Sequence, residues 1–222
     1  MSEIGEIPIE KPTFAKPDKP KLHMPVPLVE QSEFGTTSLE ANIKRMLSAA
    51  SEVQADGTTR SVAGLASNQL EENIDKSIIL IDLEEGRKKR KPEDLTVIMN
   101  AKITYQSVET NQDNMQGCIS TMLPDGRFVC AIPPIPNEIT LEGFNFHGNP
   151  VKYNLRGDAA GRAYHEVKHL AGEDITDFSP ILHTVAPDEI QEYRTNFKNW
   201  PKEKEITKAQ YDELVGISPQ NV

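Results

Sequence analysis

The run His165-Glu166-Val167-Lys168-His169 constrains this chain more than any other stretch. On a helix, two imidazoles four residues apart point to one side, one turn apart, and can share a metal ion; Glu166 beside them can reach a water at that ion. The neighbouring residues ask for that helix. Ala159, Ala160, Ala163, Val167 and Leu170 recur at helical spacing and predict a helix over residues 158–171 with one apolar stripe. The fold must be organised around a helix that carries this motif.

The remaining pattern is mixed. Leu39, Ile43, Met46, Leu47 and Ala50 predict a first helix over residues 38–55, with Ser38 as its cap and Gly57 beyond its end. Ser77-Ile78-Ile79-Leu80-Ile81-Asp82-Leu83 reads as a buried strand. Further short strands fit residues 96–99, 103–108, 128–132, 138–146 and 150–154, with turns at Asp125-Gly126 and His147-Gly148-Asn149 and a short helix over residues 207–215. This is an α+β chain, with short antiparallel sheets around a central motif-bearing helix. Residues 1–33 hold Pro8, Pro12, Pro17, Pro20, Pro25 and Pro27 among charges and predict an extended or disordered arm. A catalytic domain over residues 34–180 and a C-terminal extension over 181–222 follow. Arg87 to Lys91 reads as a solvated basic hairpin tip.

A formal charge of -10 argues against a general nucleic-acid binder, because neutralising phosphates takes an excess of Lys and Arg. Neither a signal peptide nor a bilayer-length apolar run is visible, so the expectation is a non-secreted protein of the cytoplasm, bacterial or that of an infected host cell, without a membrane partner. With two cysteines, Cys118 and Cys130, a disulfide framework is not the expectation.

Two histidines do not complete a catalytic metal site, which takes three protein ligands and leaves one position open. A third histidine six residues on would mark one class of metalloprotease, but that position is Ile175. Glu189 or Glu192 could supply a carboxylate instead. Cys118 is the better choice: it lies in Gln116-Gly117-Cys118-Ile119-Ser120, where Gly117 allows close backbone approach, and a thiolate beside two imidazoles suits zinc or ferrous iron.

Three stretches together resemble the peptide deformylase family, whose motifs run Gly-x-Gly-Leu-Ala-Ala-x-Gln, Glu-Gly-Cys-Leu-Ser and His-Glu-x-Asp-His. The matching stretches, in the same order, are Val62 to Gln69, Gln116 to Ser120 and His165 to His169. The resemblance implies a hydrolase that removes the N-formyl group from N-formylmethionyl nascent peptides. It implies Cys118, His165 and His169 as ligands of one divalent ion, ferrous iron first with zinc or nickel as alternatives. Glu166 would manage the proton, and the Gln69 side-chain amide with the Ile119 backbone N–H would stabilise the oxyanion. Ala63, Gly64, Gly117 and Arg162 would line the substrate site.

The chain departs from the motifs at Val62, Ser67, Gln116 and Lys168, the last two replacing acids, and such neighbours of a ligand set shift metal affinity or activity by about 10 to 100-fold. Gly161 and Arg162 suit a methionine side chain poorly. An alternative expectation is a deformylase-like domain of reduced activity built into a larger assembly, possibly viral, through the N-terminal arm. Cys130 is expected to be a small buried hydrophobe, and His23, His147 and His183 ordinary surface or turn histidines. Trp200 is expected to anchor the C-terminal segment.

Overall fold

The structure is a computed structural model, and it describes residues 13–53, 59–72, 74–87, 89–111 and 115–217. In chain order the elements are α1 (Thr37–Ala50), the hairpin β1 (Ser51–Val53) and β2 (Thr59–Ser61), then β3 (Gly64–Ala66), β4 (Ile78–Ile81), β5 (Thr96–Gln106), β6 (Thr110–Asn111), β7 (Gln116–Gly117), β8 (Phe128–Ala131), β9 (Ile135–Pro136), β10 (Glu138–Phe144) and β11 (Pro150–Arg156). The motif helix α2 (Gly157–Leu170), α3 (Ile175–Phe178), β12 (Leu182–Val185), α4 (Ile190–Asn196), β13 (Glu205–Ile206) and α5 (Lys208–Val215) complete the chain.

An antiparallel five-stranded sheet in the order β11-β10-β5-β4-β3 separates the two long helices. Strand β4 explains how. Its alternate residues serve opposite faces: Ile78 and Leu80 pack with Leu39, Ile43 and Met46 of α1, while Ile79 and Ile81 pack with Ala159, Ala160 and Ala163 of α2. A strand buried on both faces reads as a continuous apolar run, which is why Ile78-Ile79-Leu80-Ile81 shows no alternation. The small side chains of α2 let that helix lie close against the sheet. A second antiparallel sheet, β13-β12-β8-β7, ends at the strand that delivers Cys118.

Several boundaries differ from the sequence expectation. Helix α1 is capped by Thr36, whose side chain accepts from the Leu39 N–H, and stops at Ala50 where β1 begins; Gly57 lies outside the described residues. The strands expected at 96–99 and 103–108 are one strand, continuous through Asn100, whose φ of 52° lies in the left-handed region. The Asn100 side chain bonds the backbone N–H and carbonyl of Val29 at 2.8 and 2.9 Å, which holds that conformation.

That pair of bonds belongs to a larger difference. Residues 13–33 hold little regular structure beyond one 3-10 turn at Pro20–His23, but they are packed on the domain: Ala15, Leu22 and Val29 are buried. Val26 N–H donates to the Leu170 carbonyl at the end of α2, and Ser77 N–H to the Pro27 carbonyl, at 2.9 and 2.8 Å. The part of the expected arm before Thr13 lies outside the described residues. The segment after residue 181 also contributes to the core. Strand β12 pairs with β8, Tyr211 and Val215 of α5 pack on Val129 and Leu182, and Trp200 donates its indole N–H to the Thr184 carbonyl. His183 is a correction: it is buried in β12 with its Nδ1 3.0 Å from the Tyr193 hydroxyl. So is the basic tip, where Arg87 and Arg90 fold back onto the buried Asp82 carboxylate at 3.3 and 2.8 Å. Among the described residues, no helix is long and apolar enough to cross a membrane.

Candidate metal centre

Helix α2 presents His165 and His169 toward β7, and the chain leaving β7 places Cys118 between them and Gln69. The Cys118 Sγ lies 3.2 Å from His169 Nε2, and that nitrogen lies 3.1 Å from His165 Nε2. Nitrogen and sulfur bonded at ordinary zinc distances, about 2.0 to 2.3 Å, lie roughly 3.3 to 3.6 Å apart in a tetrahedron. Both separations therefore lie within a few tenths of an ångström of the spacing one ion imposes, and all three donor atoms fall within 4.8 Å of one another. Their burial supports the same fit. Cys118, His165 and His169 are buried, and burial holds His165 well below, and His169 down to about 3 from, the ordinary imidazole value, so both rings are neutral with a lone pair to offer. Burial, reinforced by the charges of Asp174 and Glu166, pushes the Cys118 thiol up. A buried thiolate is favoured only beside positive charge, and an ion held by the two imidazoles supplies it. The donor set Cys118, His165 and His169 fits a divalent metal ion.

Glu166 faces the same space from the adjacent position of α2. Burial pushes its carboxyl up to about 8, a direction that a nearby cation reverses. Gly64 makes room for it: a Cβ at that position would lie 2.8 Å from both Glu166 Cγ and Cδ. The glycine of the first motif is therefore a clearance for the third motif's carboxylate. The turn after β3 positions the rest. The Gln69 Nε2 reaches toward Cys118 Sγ at 3.4 Å and Ser120 Oγ at 3.3 Å, while its Oε1 accepts from the Ala66 N–H at 2.7 Å. The side chain of Asn68 donates to the His169 carbonyl at 2.6 Å and so ties the turn to the end of α2.

A cleft of about 160 Å³ runs along this cluster. Ala63, Gly64, Gly117, Arg162 and Ile119, all expected at the site, line it together with Gln69, Cys118, His165 and Glu166. Arg162 is turned to one wall, where its Nε and Nη2 donate to the carbonyls of Asp82 and Glu84 at 3.0 and 2.7 Å. Burial, then the charge of Arg90, lowers its pKa. The carboxylate ligands considered from sequence are elsewhere: Glu189 accepts from the Ala186 N–H and pairs with Lys204, and neither Glu189 nor Glu192 belongs to the donor cluster. Lys168, which replaces an acid of the motif, pairs with Glu173 at 2.8 Å. Three contributors escaped the sequence reading. Asn68 and Ser120 adjoin motif residues and could have been found there; Phe14, which also lines the cleft, carries no local signal.

Two imidazoles, a thiol and a carboxyl group converging in a cleft on an α+β frame have the composition of a metallohydrolase-type centre. The polypeptide deformylase family model matches residues 13–181. Over 155 residues the chain is 30% identical to a peptide deformylase of Halalkalibacterium halodurans, covering 67% of this chain and 76% of that protein. With a peptide deformylase of Shouchella clausii it shares 38% over 76 residues, a match that spans 39% of that protein. Among solved structures, the Met-Ala-Ser-bound class I type b peptide deformylase of Acinetobacter baumannii superposes with a TM-score of 0.60 at 20% identity, covering 75% of this chain and 96% of that one. The actinonin complex of a Synechococcus elongatus peptide deformylase gives 0.60 at 21%, covering 95% and 89%. The chain belongs to the polypeptide deformylase family.

Proposed function

We propose that this chain hydrolyses the formamide of N-formyl peptides, releasing formate and the free peptide amine, with N-formylmethionyl peptides as substrates. The observation that carries this reading is the convergence of Cys118, His165 and His169 beside Glu166 in one cleft. Cys118, His165 and His169 hold the ion, which is ferrous iron in this reading, with zinc or nickel as replacements. When bound, a divalent ion supplies Lewis acidity and lowers the pKa of water near it toward neutrality.

The chain's own residues do the rest. Glu166 takes the proton of the attacking water on its carboxylate and delivers it to the amine nitrogen as the C–N bond breaks. Gln69, through Nε2, and Ile119, through its backbone N–H, donate to the formyl oxygen as it gains charge. Gln69 is suited to this because the Ala66 N–H fixes its Oε1, which leaves the amino group facing Cys118 and Ser120. Gly64 keeps Glu166 in place, and Ala63, Gly117 and Arg162 bound the substrate. The complete donor set and the close Gly64–Glu166 fit favour catalysis over a purely structural role.

The test is turnover of formyl-Met-Ala-Ser by protein purified without oxygen and reloaded with ferrous, nickel or zinc ion. Turnover that disappears in Glu166→Ala supports the reading; no turnover with any of the three ions contradicts it.

A further inference from the structure

A second cluster of potential ligands lies past the C-terminal end of α2. One donor atom each from His23, Asp174 and Asp177 falls within 4.8 Å of the other two. His23 belongs to the strap over residues 13–33, Asp174 caps α3 and Asp177 lies within it. The strap is held closely there. Val26 N–H donates to the Leu170 carbonyl at 2.9 Å, and a Cβ at Gly172 would lie 2.7 Å from the Met24 nitrogen. The His23 Nε2–H donates to the Pro17 carbonyl at 2.8 Å, so in the neutral ring Nδ1 keeps the lone pair, as in a metal-ligating histidine. The acids are oriented as well. Asp174 Oδ1 accepts from the Thr176 N–H and hydroxyl at 2.7 and 2.6 Å, and Asp177 Oδ2 accepts from the Asp174 N–H at 2.8 Å. That leaves Asp174 Oδ2 and Asp177 Oδ1 to offer an ion. Lys208 Nζ comes to 3.5 Å from Asp177 but sits 2.6 Å from Asp212.

Two buried groups beside this cluster lack a partner among the described residues. Tyr211 is fully buried on α5, which packs on α3; its hydroxyl is unpaired, and Asp174 is the charge that acts on it most strongly. His169 Nδ1 is likewise buried and unpaired, and His23 is the charge that acts on that ring. Buried polar atoms left this way mark a space that an ion and its waters complete. We infer that His23, Asp174 and Asp177 bind a second divalent ion of the zinc class, which clasps the strap to the turn after α2. One imidazole nitrogen with two carboxylate oxygens suits such an ion. Ligand bonds of about 2.0 to 2.2 Å are reached by side-chain shifts of about an ångström, and Asp177, at the exposed end, has room for them. Charge favours the same occupant. Burial, then the charge of Asp174, raises the Asp177 pKa, which is how a carboxylate short of a neighbouring cation behaves.

The experiment loads untagged, metal-free protein with zinc, removes unbound ion by gel filtration and counts bound zinc by elemental analysis, with circular dichroism confirming that each variant is folded. The wild type should hold two ions per chain, and His23→Ala and Asp177→Asn one each. Cys118→Ser, which disables the first site, should hold one ion more than Cys118→Ser/His23→Ala. Calorimetry on Cys118→Ser reads the second site alone. There His23→Ala should weaken zinc by more than the roughly 10- to 100-fold that changes around a ligand set produce. Zinc should also raise the melting temperature of Cys118→Ser and leave that of the double variant unmoved, because only an ion bound to the folded chain stabilises it. One zinc per chain in the wild type overturns the inference and leaves His23 a plain ion-pair partner of the two acids. Two ions retained in His23→Ala also overturn it, because the extra ion then sits elsewhere. None of these readouts depends on turnover of a formyl peptide.

Discussion

The inner and outer ends of the cleft are built differently. At the inner end Cys118, His165, His169 and Glu166 are all buried, each 6% exposed or less, and they project from a helix locked on the five-stranded sheet and from the end of β7. At the outer end Phe14 comes from the strap over residues 13–33, Ile119 and Met122 come from the loop after Cys118, and these side chains remain partly open to solvent. The contrast teaches where change is tolerated. The inner geometry is set by close packing, so small additions displace it, whereas the outer surface can be rebuilt without moving the donors.

Perturbations at the two ends should therefore read out differently. The largest effect is expected for Glu166→Ala, with kcat lower by about 10²- to 10⁴-fold on every formyl peptide and bound metal unchanged by elemental analysis. Gly64→Ala follows. The added methyl group collides with Glu166, and a displaced catalytic group costs about 100-fold in kcat, again with metal retained and with peptide ranking preserved. A Gly64→Ala variant that reorders peptides while keeping kcat would break the distinction between the two ends.

Asn68→Ala sharpens the comparison from the side of stability. It removes one partner of the buried His169 carbonyl, which keeps the Gly172 N–H at 3.0 Å, at a cost of about 0.5 to 1.5 kcal/mol, measurable by urea unfolding. The smallest effect lies away from both ends. Burial, partly offset by Glu205, lowers the His183 pKa, so the folded protein prefers neutral His183. Its contribution to stability is complete above the unfolded value of about 6.5 and is lost as pH falls through that value toward the lower folded one. Thermal melts between about pH 7.5 and 5 should therefore slope less in His183→Gln than in the wild type. Identical slopes would remove His183 from this account.

The same contrast explains what could be read from sequence. His165, Glu166 and His169 were legible because spacing along one helix fixes their common direction. Ile78 to Ile81 were legible because burial on two faces leaves no polar residue in the run. The strap was not. Its prolines erase any period, and its partners at Gln69, Glu71, Asn100 and Leu170 are distant in sequence. Strand β12 hid for a related reason: His183 and Thr184 look polar, yet both are buried, with Tyr193 and the Lys204 carbonyl as partners. Arg87 and Arg90 read as solvated charge because the acid that recruits them, Asp82, stands at the end of an apolar strand. That lone buried acid was the available signal.

The central claim is that one thiolate and two imidazoles from separate parts of the chain share a single ion. X-ray absorption on the anaerobically metal-loaded protein tests it directly. The account predicts one sulfur at about 2.3 Å and two imidazole nitrogens at about 2.0 to 2.1 Å with zinc bound. A first shell without sulfur, or one left unchanged in Cys118→Ser, would contradict it.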